Sequence, residues 1–213
     1  MVLKLYGATG ATCTKRVRIV LEELATPYEL IAVNVAAGEH KAPAYLANQP
    51  FGQIPYIDDD GFTLFESRAI CRYLALKYGG VAAGLVPAAG DLEAVARFEQ
   101  AASVEMSNFD SSASKLAFEN LFKPMFGQTT DTEAVKALIP VLEGKIAGYE
   151  TMLGKTKYLA GDVVTIADLF HLPYGSLLAQ QKIDFLESEK YPNVARWWKE
   201  VSSRPSWKKV TSA

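Results

Sequence analysis

The spacing of apolar residues changes near residue 80, and this change constrains the fold more than any other feature of the chain. Before it, short apolar runs at residues 3–6 and 28–33 alternate with helical spacing, whereas after residue 91 only helical spacing continues. Strands that alternate with helices predict a mixed sheet, and a helical remainder predicts a separate bundle. We therefore predict an α/β domain at residues 1–80, a linker at residues 81–90 and an all-α domain at residues 91–213.

The first domain contains an ordered set of strand and helix signals. A strand, a helix and a second strand come first, and such a β-α-β start implies a right-handed crossover between parallel strands. A short helix at residues 42–48 follows. Asp58-Asp59-Asp60-Gly61 then separates two apolar runs, which is a strong signal for a β-hairpin. A last helix at residues 66–78 ends at Gly79-Gly80, so we expect a small mixed sheet with helices on its faces.

The second domain carries two helix-start signals. Thr130 and Glu133 match a capping box in front of a helical stripe at residues 130–153. Thr165 and Asp168 repeat the box, with aspartate in place of glutamate. We therefore interpret Asp168 as a residue that stabilises a helix start and not as a catalyst.

Composition excludes several classes of function. The 22 basic and 24 acidic residues give a formal net charge of −2, which argues against the electropositive surface of a nucleic-acid-binding protein. No apolar run approaches the roughly 18 residues of a membrane span, and the N-terminus does not resemble a signal peptide. The two cysteines and two histidines match no metal-binding spacing. We expect no metal, no nucleic-acid partner, no membrane and a cytoplasmic location.

Three turns place polar groups where they can bind an anion or an extended peptide. The turn at residues 7–14 leads into a helix, whose free amides and dipole stabilise an anion such as a thiolate and lower the pKa of a thiol. In Pro50-Phe51-Gly52-Gln53-Ile54-Pro55, a cis bond before the last proline would turn the Ile54 main chain outward as an edge for an extended peptide. Glu66 and Ser67 open another helix, where a hydroxyl and free amides can hold a carboxylate.

These turns, together with other strings in the sequence, resemble the cytosolic glutathione transferases, and most closely their phi class. The resemblance covers essentially the whole chain and implies a thioredoxin-like N-terminal domain (β-α-β, α, β-β, α), an all-α C-terminal domain and a homodimer. It rests on strings that occur in the family's order: Leu5-Tyr6-Gly7, Gly38-Glu39-His40-Lys41, Asn48-Gln49-Pro50-Phe51-Gly52-Gln53-Ile54-Pro55, Phe65-Glu66-Ser67-Arg68-Ala69-Ile70, Leu121-Phe122-Lys123-Pro124-Met125 and Tyr158-Leu159-Ala160-Gly161-Asp162.

The resemblance also implies an activity and a set of site residues. The family binds reduced glutathione as a co-substrate, without a tightly bound cofactor, and joins its thiolate to small hydrophobic electrophiles in detoxification. The implied glutathione-binding residues are Ala11, Thr12, His40, Lys41, Gln53, Ile54, Glu66 and Ser67. The implied electrophile-site residues are Thr9, Phe118, Phe122 and Tyr174.

The chain departs from the phi-class pattern at one important position. The family usually has a serine where this chain has Ala11, and that serine donates a hydrogen bond to the glutathione thiolate. Its loss should cost roughly 1.5–3 kcal/mol of thiolate stabilisation, so we expect activity to be reduced and not abolished. Thr12 and Cys13 are the candidate catalytic side chains, although Thr12 could instead cap the helix and Cys13 could be a small buried residue.

Two alternatives to a transferase remain open at this point. With Ala11 in the activating position, the protein could bind glutathione and hydrophobic ligands with little turnover, as a ligandin does. Alternatively, Cys13 could form a mixed disulfide with glutathione and catalyse thiol exchange. Replacing Ala11 with serine tests the first alternative, and replacing Cys13 with serine tests the second.

Overall fold

The structure, a computed structural model, describes residues 2–212. Contacts within the chain divide it into two compact units. The first unit runs from the N-terminus to Val86 and includes the end of the chain from Pro205 onward. The second unit is Pro87–Arg204.

The first unit contains a four-stranded sheet with helices, as the sequence predicts. The strand order is β2-β1-β3-β4, with β1 parallel to β2 and the other neighbouring pairs antiparallel. This arrangement confirms the thioredoxin-like topology. The elements are β1 (Leu3–Gly7), α1 (Thr12–Glu23), β2 (Tyr28–Ala32), a 3₁₀ turn (Glu39–Lys41), α2 (Pro43–Leu46), β3 (Tyr56–Asp59), β4 (Phe62–Phe65) and α3 (Ser67–Lys77).

The hairpin between β3 and β4 shows how a turn sets the register of this sheet. Asp59 pairs with Phe62, which leaves only Asp60 and Gly61 in the loop. Both loop residues have a positive φ, 58° and 87°, as a type I′ turn requires. Because side chains alternate along a strand, Ile57 and Asp59 of β3 lie on the same face, where both are buried.

The helical stripe seen in the sequence of α1 forms part of the core of the first unit. Val17, Val20 and Leu21 have no exposed surface. Leu5 of β1 and Ile57 of β3 are buried to the same extent. Burial of each such side chain contributes about 1.5–3 kcal/mol, so the period-3.6 pattern of α1 and the period-2 pattern of the strands are satisfied by one core.

The second unit is built from helices, as predicted. Its π-helical segments, Glu105–Asp110 and Phe118–Phe122, precede and follow the second helix of the unit. Within the described part of the chain, no helix combines the length and the hydrophobicity of a membrane span. The helices are α4 (Leu92–Val104), α5 (Ser111–Ala117), α6 (Lys123–Met125), α7 (Thr132–Leu153), α8 (Ile166–Leu169), α9 (Leu172–Gln180) and α10 (Pro192–Ser202).

The capping box predicted at Thr130 was wrong. Asp131 caps α7 instead, because its Oδ1 accepts hydrogen bonds from the amides of Glu133 at 3.1 Å and Ala134 at 3.0 Å. The Thr130 hydroxyl donates to the carbonyl of Glu119 at 2.7 Å. The sequence offers two adjacent residues that can cap a helix, and a contact with a distant residue decides between them.

The capping box at Thr165 and Asp168 is confirmed and extends into the core. Oδ2 of Asp168 accepts hydrogen bonds from the amide of Thr165 at 2.9 Å and from its hydroxyl at 3.1 Å. Oδ1 accepts from the amide of Leu159 at 3.0 Å and from the indole N–H of Trp197 at 2.9 Å. Since Asp168 has no exposed surface and four donors, it is a structural group, as predicted.

The last helix, α11 (Pro205–Thr211), belongs to the first unit. The carbonyl of Val210 accepts a hydrogen bond from Nη1 of Arg18 in α1 at 3.4 Å, and Nζ of Lys209 lies 2.6 Å from a carboxylate oxygen of Glu22. The position of α11 in the first unit differs from the domain boundary predicted from the sequence, which placed all of residues 91–213 in the second domain. The helical pattern of α11 shows that it has an apolar face but cannot show which unit covers that face.

Candidate functional site

The candidate site of the first unit begins where β1 ends and α1 starts. Gly7 allows a close approach there, because a Cβ on this residue would lie 2.5 Å from Oγ1 of Thr14 and 3.3 Å from Cβ of Pro55. Ala11 is the N-cap of α1 and provides no side-chain hydrogen bond. The amides of the first helical turn therefore remain available to an anion at the positive end of the helix dipole.

Thr12 and Cys13 lie in the first turn of α1, and both are partly exposed. Ala11 occupies the cap position, so Thr12 does not cap the helix, and its hydroxyl has no intramolecular partner among residues 2–212. Cys13 is a free thiol whose Sγ accepts a hydrogen bond from Nη1 of Arg16 at 3.5 Å. Cys71, in contrast, is completely buried, and burial raises its pKa to about 12.

Two side chains hold the main chain of the loop that precedes β3. The main-chain N–H of Gln53 donates a hydrogen bond to Oε1 of Gln49 at 3.1 Å, and the main-chain carbonyl of Gln53 accepts one from the hydroxyl of Tyr45 at 2.8 Å. The following bond, Ile54–Pro55, is cis, as predicted. In the trans peptide unit between Gln53 and Ile54 the C=O and N–H point in opposite directions, so the contact with Tyr45 turns the Ile54 N–H away from that tyrosine. Within the described residues, the main chain of Ile54 has no intramolecular hydrogen bond and can pair with an extended ligand.

Three tyrosines support this loop. The rings of Tyr6 and Tyr56 stack with centroids 4.4 Å apart, and Tyr45 meets Tyr56 edge-on at 5.0 Å. All three belong to an apolar cluster with Val33 and Ile54. Burial, followed by the repulsion of Tyr56, raises the pKa of Tyr45 above its usual range, and burial with neighbouring charges raises that of Tyr56 to about 12. The Tyr45 hydroxyl therefore keeps its proton at all ordinary pH values and remains a hydrogen-bond donor to the Gln53 carbonyl.

The turn that carries His40 and Lys41 packs against the same loop at Gly52. The φ of Gly52 is 58°, and a Cβ there would lie 2.7 Å from Nζ of Lys41 and 2.9 Å from the carbonyl of His40, so only glycine fits. Nζ of Lys41 donates to the carbonyl of Phe51 at 3.2 Å in an exposed position. Nδ1 of His40 is buried and has no partner among the described residues. The loop is thus flanked by a cation that suits a carboxylate.

Glu66 and Ser67 stand at the start of α3. Glu66 is exposed, and its φ of 69° with ψ of 106° is a sparsely populated conformation for a residue with a side chain. Such conformations occur most often at functional sites, where the surrounding structure offsets the strain. Ser67 is buried, and its Oγ accepts a hydrogen bond from Nη1 of Arg16 at 3.0 Å.

These contacts connect the three predicted turns and the turn that carries Lys41, all within the first unit. Gly7 brings the start of α1 next to Pro55, Gly52 joins the loop to the turn with Lys41, and Arg16 links Cys13 at the start of α1 with Ser67 at the start of α3. Helix amides, an unpaired main-chain edge, a hydroxyl and a cation suit an extended peptide with carboxylates and a thiolate. Across residues 2–212, no three histidine, cysteine, aspartate or glutamate side chains group as a metal site requires.

The predicted electrophile-site residues are distributed over both units. Thr9 is exposed in the turn between β1 and α1 of the first unit. In the second unit, Phe118 and Phe122 lie on the π-helical segment after α5. Phe118 is 46% exposed, with Nζ of Lys123 placed 5.7 Å from the centroid of its ring, and Phe122 is half-buried. Tyr174 is half-buried on α9. A π-helical segment is often found at functional sites.

Three residues that hold the candidate site are not among those predicted from the sequence: Arg16, Tyr45 and Gln49. All three are buried and act on other site residues through hydrogen bonds. A signal existed only for Arg16, which stands four residues before Val20 on the apolar stripe of α1, where a charged residue is unexpected. Tyr45 and Gln49 look like ordinary residues of a short helix and a loop.

The fold and the site define a class of protein: a thioredoxin-like domain that can hold an extended, thiol-bearing peptide, joined to a helical domain. Comparison with known families agrees with this class. The family model of the glutathione S-transferase N-terminal domain matches residues 1–76, and the model of the glutathione S-transferase C-terminal domain matches residues 111–205. The chain belongs to the glutathione S-transferase family.

Individual relatives match along nearly the whole chain. The Arabidopsis thaliana protein named Glutathione S-transferase PM239X14 is 48% identical over 92% of this chain and 89% of its own length. Glutathione transferase F7 from Populus trichocarpa has a crystal structure that is 39% identical and covers 99% of this chain and 98% of its own, with a TM-score of 0.93. Glutathione S-transferase I from maize, solved in complex with an atrazine glutathione conjugate, is 37% identical, with a TM-score of 0.90 over 100% of this chain and 97% of its own. These matches confirm the resemblance to the phi class.

Proposed function

We propose that the protein is a cytoplasmic glutathione transferase, which joins the thiolate of reduced glutathione to small hydrophobic electrophiles in detoxification. The observation that carries this proposal is the unpaired main chain of Ile54 next to the uncapped start of α1. An extended peptide that pairs with Ile54 through its cysteinyl residue presents its thiol to a helix N-terminus. The glutathione conjugate bound to the maize relative supports the same use of this fold.

The proposed orientation of glutathione follows from the charge of each part of the site. The γ-glutamyl end takes the start of α3, where Ser67 offers a hydroxyl beside Glu66. The glycine carboxylate takes the turn that carries His40 and the cation Lys41, with the exposed side chain of Gln53 nearby. Each charged end of the tripeptide thus meets a group of suitable chemistry.

The reaction needs no covalent bond to the protein, because the thiolate of glutathione is itself the nucleophile. The helix dipole and the first-turn amides of α1 favour the thiolate, so the thiol loses its proton to solvent at a lower pH than in water. The sulfur then forms a bond to an electrophilic carbon. A leaving group departs with the electron pair of the broken bond. In an addition to a conjugated double bond, the π electron pair instead moves into the conjugated system, which then takes up a proton from solvent.

Ala11 gives this protein a weaker form of thiolate stabilisation than a serine would. The hydroxyl that the family usually provides is missing, so the thiolate depends on the helix amides and on Thr12 or Cys13, both partly exposed in the first turn. One lost charge-assisted hydrogen bond corresponds to roughly 1.5–3 kcal/mol. We expect activity below that of relatives with the serine, with catalysis retained.

The electrophile is proposed to contact Thr9, Phe118, Phe122 and Tyr174, on the basis of the family pattern. The aromatic rings among them suit an apolar partner. Apolar side chains discriminate only weakly between electrophiles of different shape, since each methylene group of the electrophile changes its binding free energy by only about 1–3 kcal/mol. A panel of small electrophiles that differ in apolar size should therefore show graded and not absolute selectivity.

A homodimer is the proposed assembly. Large apolar side chains of the first unit are exposed, with Phe51 at 64%, Leu76 at 60% and Phe62 at 48%. Aromatic side chains such as Phe51 and Phe62 are enriched at protein–protein interfaces. Analytical ultracentrifugation should give twice the chain mass of 23.3 kDa, and a species of single-chain mass at all concentrations would contradict the proposal.

The function is tested by the pKa of the glutathione thiol when it is bound, measured by the ultraviolet absorbance of the thiolate against pH. A pKa clearly below that of an ordinary cysteine thiol, about 8.5, is expected if the site activates glutathione. A saturable site with an unshifted pKa would instead indicate a binding protein. Cys13→Ser is the matched test for thiol exchange, because exchange activity that survives this substitution excludes Cys13 as its nucleophile.

A further inference from the structure

One nitrogen of Arg16 serves two side chains of the candidate site. Nη1 donates to Oγ of Ser67 at 3.0 Å and to Sγ of Cys13 at 3.5 Å. It carries two hydrogens and can supply both acceptors at once. Arg16 is only 1% exposed, although arginine is among the residues least often buried. The serine hydroxyl and the cysteine sulfur, from two different helices, are therefore held around the same buried guanidinium.

The donor-only chemistry of arginine orients both partners. A hydroxyl that accepts a hydrogen bond from Arg16 keeps its own O–H free to donate. Among the described residues Oγ of Ser67 has no other partner, so its hydrogen is available to an acceptor outside the chain. The same reasoning applies to the S–H of Cys13, which is a weaker donor. A carboxylate at the start of α3 and a thiolate at the start of α1 are acceptors of this kind.

The main chain of Arg16 provides a second connection between the same two helices. Its carbonyl accepts a hydrogen bond from Sγ of Cys71 at 3.3 Å, and Cys71 is fully buried on α3. The side chain and the main chain of one residue thus attach α1 to α3. This attachment limits the movement of the guanidinium relative to Ser67.

We propose that Arg16 is a positioning residue, which orients Ser67 and Cys13 as hydrogen-bond donors toward bound glutathione. The inference rests on the proposed function and adds to it a residue that does not touch the substrate. Loss of Arg16 should act through Ser67, because without a donor on its lone pair the hydroxyl can turn its hydrogen away from the ligand. The two residues should therefore behave as one unit in binding.

Arg18 provides a matched comparison for a purely structural arginine. It lies on the same helix and is 6% exposed. It donates to the hydroxyl of Tyr28 at 3.1 Å and to the carbonyl of Val210 at 3.4 Å, neither of which belongs to the candidate site. Arg18→Met should lower thermal stability without changing the affinity for glutathione.

The test is a double-mutant cycle with Arg16→Met, Ser67→Ala and the double variant. S-methylglutathione is the probe, because it cannot ionise at sulfur, and its dissociation constant is measured by calorimetry. Each single substitution should weaken binding about tenfold or more, the usual effect of losing a hydrogen bond to a charged group. The double variant should bind S-methylglutathione about as tightly as whichever single variant has the lower affinity, since both substitutions remove the same interaction.

Additive losses in the double variant would overturn the inference, as would wild-type affinity in Arg16→Met. If Arg16→Met does not fold, the same cycle is run with Arg16→Lys, which keeps the positive charge but not the fork of donors, and the same non-additivity is expected. Failure of the unmodified protein to bind S-methylglutathione would instead contradict the proposed function, and the inference with it. Binding by the unmodified protein with additive losses contradicts the inference alone.

Discussion

The hydroxyl of Tyr45 allows the orientation of the loop before β3 to be tested by removing one atom. It donates to the carbonyl of Gln53 at 2.8 Å, and Tyr45 is 8% exposed. In Tyr45→Phe the ring is kept, so its edge-on contact with Tyr56 at 5.0 Å survives. An ordinary hydrogen bond contributes about 0.5–1.5 kcal/mol, and a carbonyl left without a donor in this partly buried contact raises the cost of losing it to about 1–2 kcal/mol. We expect the free energy of unfolding to fall by about 1–2 kcal/mol.

The larger effect of Tyr45→Phe should be on ligand binding. Without the hydroxyl, the peptide unit between Gln53 and Ile54 can rotate, and the Ile54 N–H loses its fixed direction. A loss of about 1.4 kcal/mol in binding free energy corresponds to tenfold, so the dissociation constant for S-methylglutathione should rise by about that factor. The conjugation rate at saturating glutathione should change much less, because α1 and not this loop stabilises the thiolate.

Tyr78→Phe is the matched control for this prediction. The Tyr78 hydroxyl donates to the carboxylate of Asp59 at 2.8 Å in the same unit, without contact to the loop. Calorimetric titration and urea unfolding of both variants separate stability from affinity. Should Tyr45→Phe lose stability as Tyr78→Phe does while it binds S-methylglutathione as tightly as the unmodified protein, the reasoning about the peptide unit is refuted.

Three further predictions concern catalysis, pH dependence and stability. Ala11→Ser should lower the pKa of the thiol of bound glutathione by about one to two units and raise the conjugation rate at neutral pH. An unchanged thiol pKa, measured by the ultraviolet absorbance of the thiolate, would contradict this prediction. Burial lowers the pKa of His171, whose Nε2 accepts a hydrogen bond from the Tyr149 hydroxyl at 3.0 Å, so the folded state prefers the neutral ring. Stability should therefore decrease as the pH falls below about 6.5, by up to about 1.4 kcal/mol per pH unit, and urea unfolding of His171→Gln should lack this component. Asp168→Asn should lower the free energy of unfolding in urea by about 3 kcal/mol, because the new side-chain NH2 group would face N–H and O–H donors in place of an acceptor oxygen. Unchanged stability of this variant would exclude the structural role of Asp168.

Local patterns were sufficient to predict the strands and the helices α1 to α3 of the first unit and one cap of the second unit. A two-residue type I′ turn requires positive φ at both of its positions, and Asp60-Gly61 is a pair that readily adopts this conformation. This pair therefore nearly specifies the hairpin. The stripe of Val17 and Val20 identifies the buried face of α1. Thr165 and Asp168 cap a helix within a single turn. In each case the interacting residues are neighbours in the chain, so the pattern itself contains both partners.

The residues that orient the candidate site depend on partners far away in the chain. Arg16 acquires its role only because Ser67, 51 positions later, is brought to its guanidinium. Thr130 fails as a cap because a carbonyl 11 positions earlier accepts its hydroxyl. The apolar face of α11 is covered by a helix near the N-terminus, and no local signal specifies that choice. Helical and strand periodicity determines which side of an element is buried, but the partner that a buried polar group finds is decided only when the elements pack.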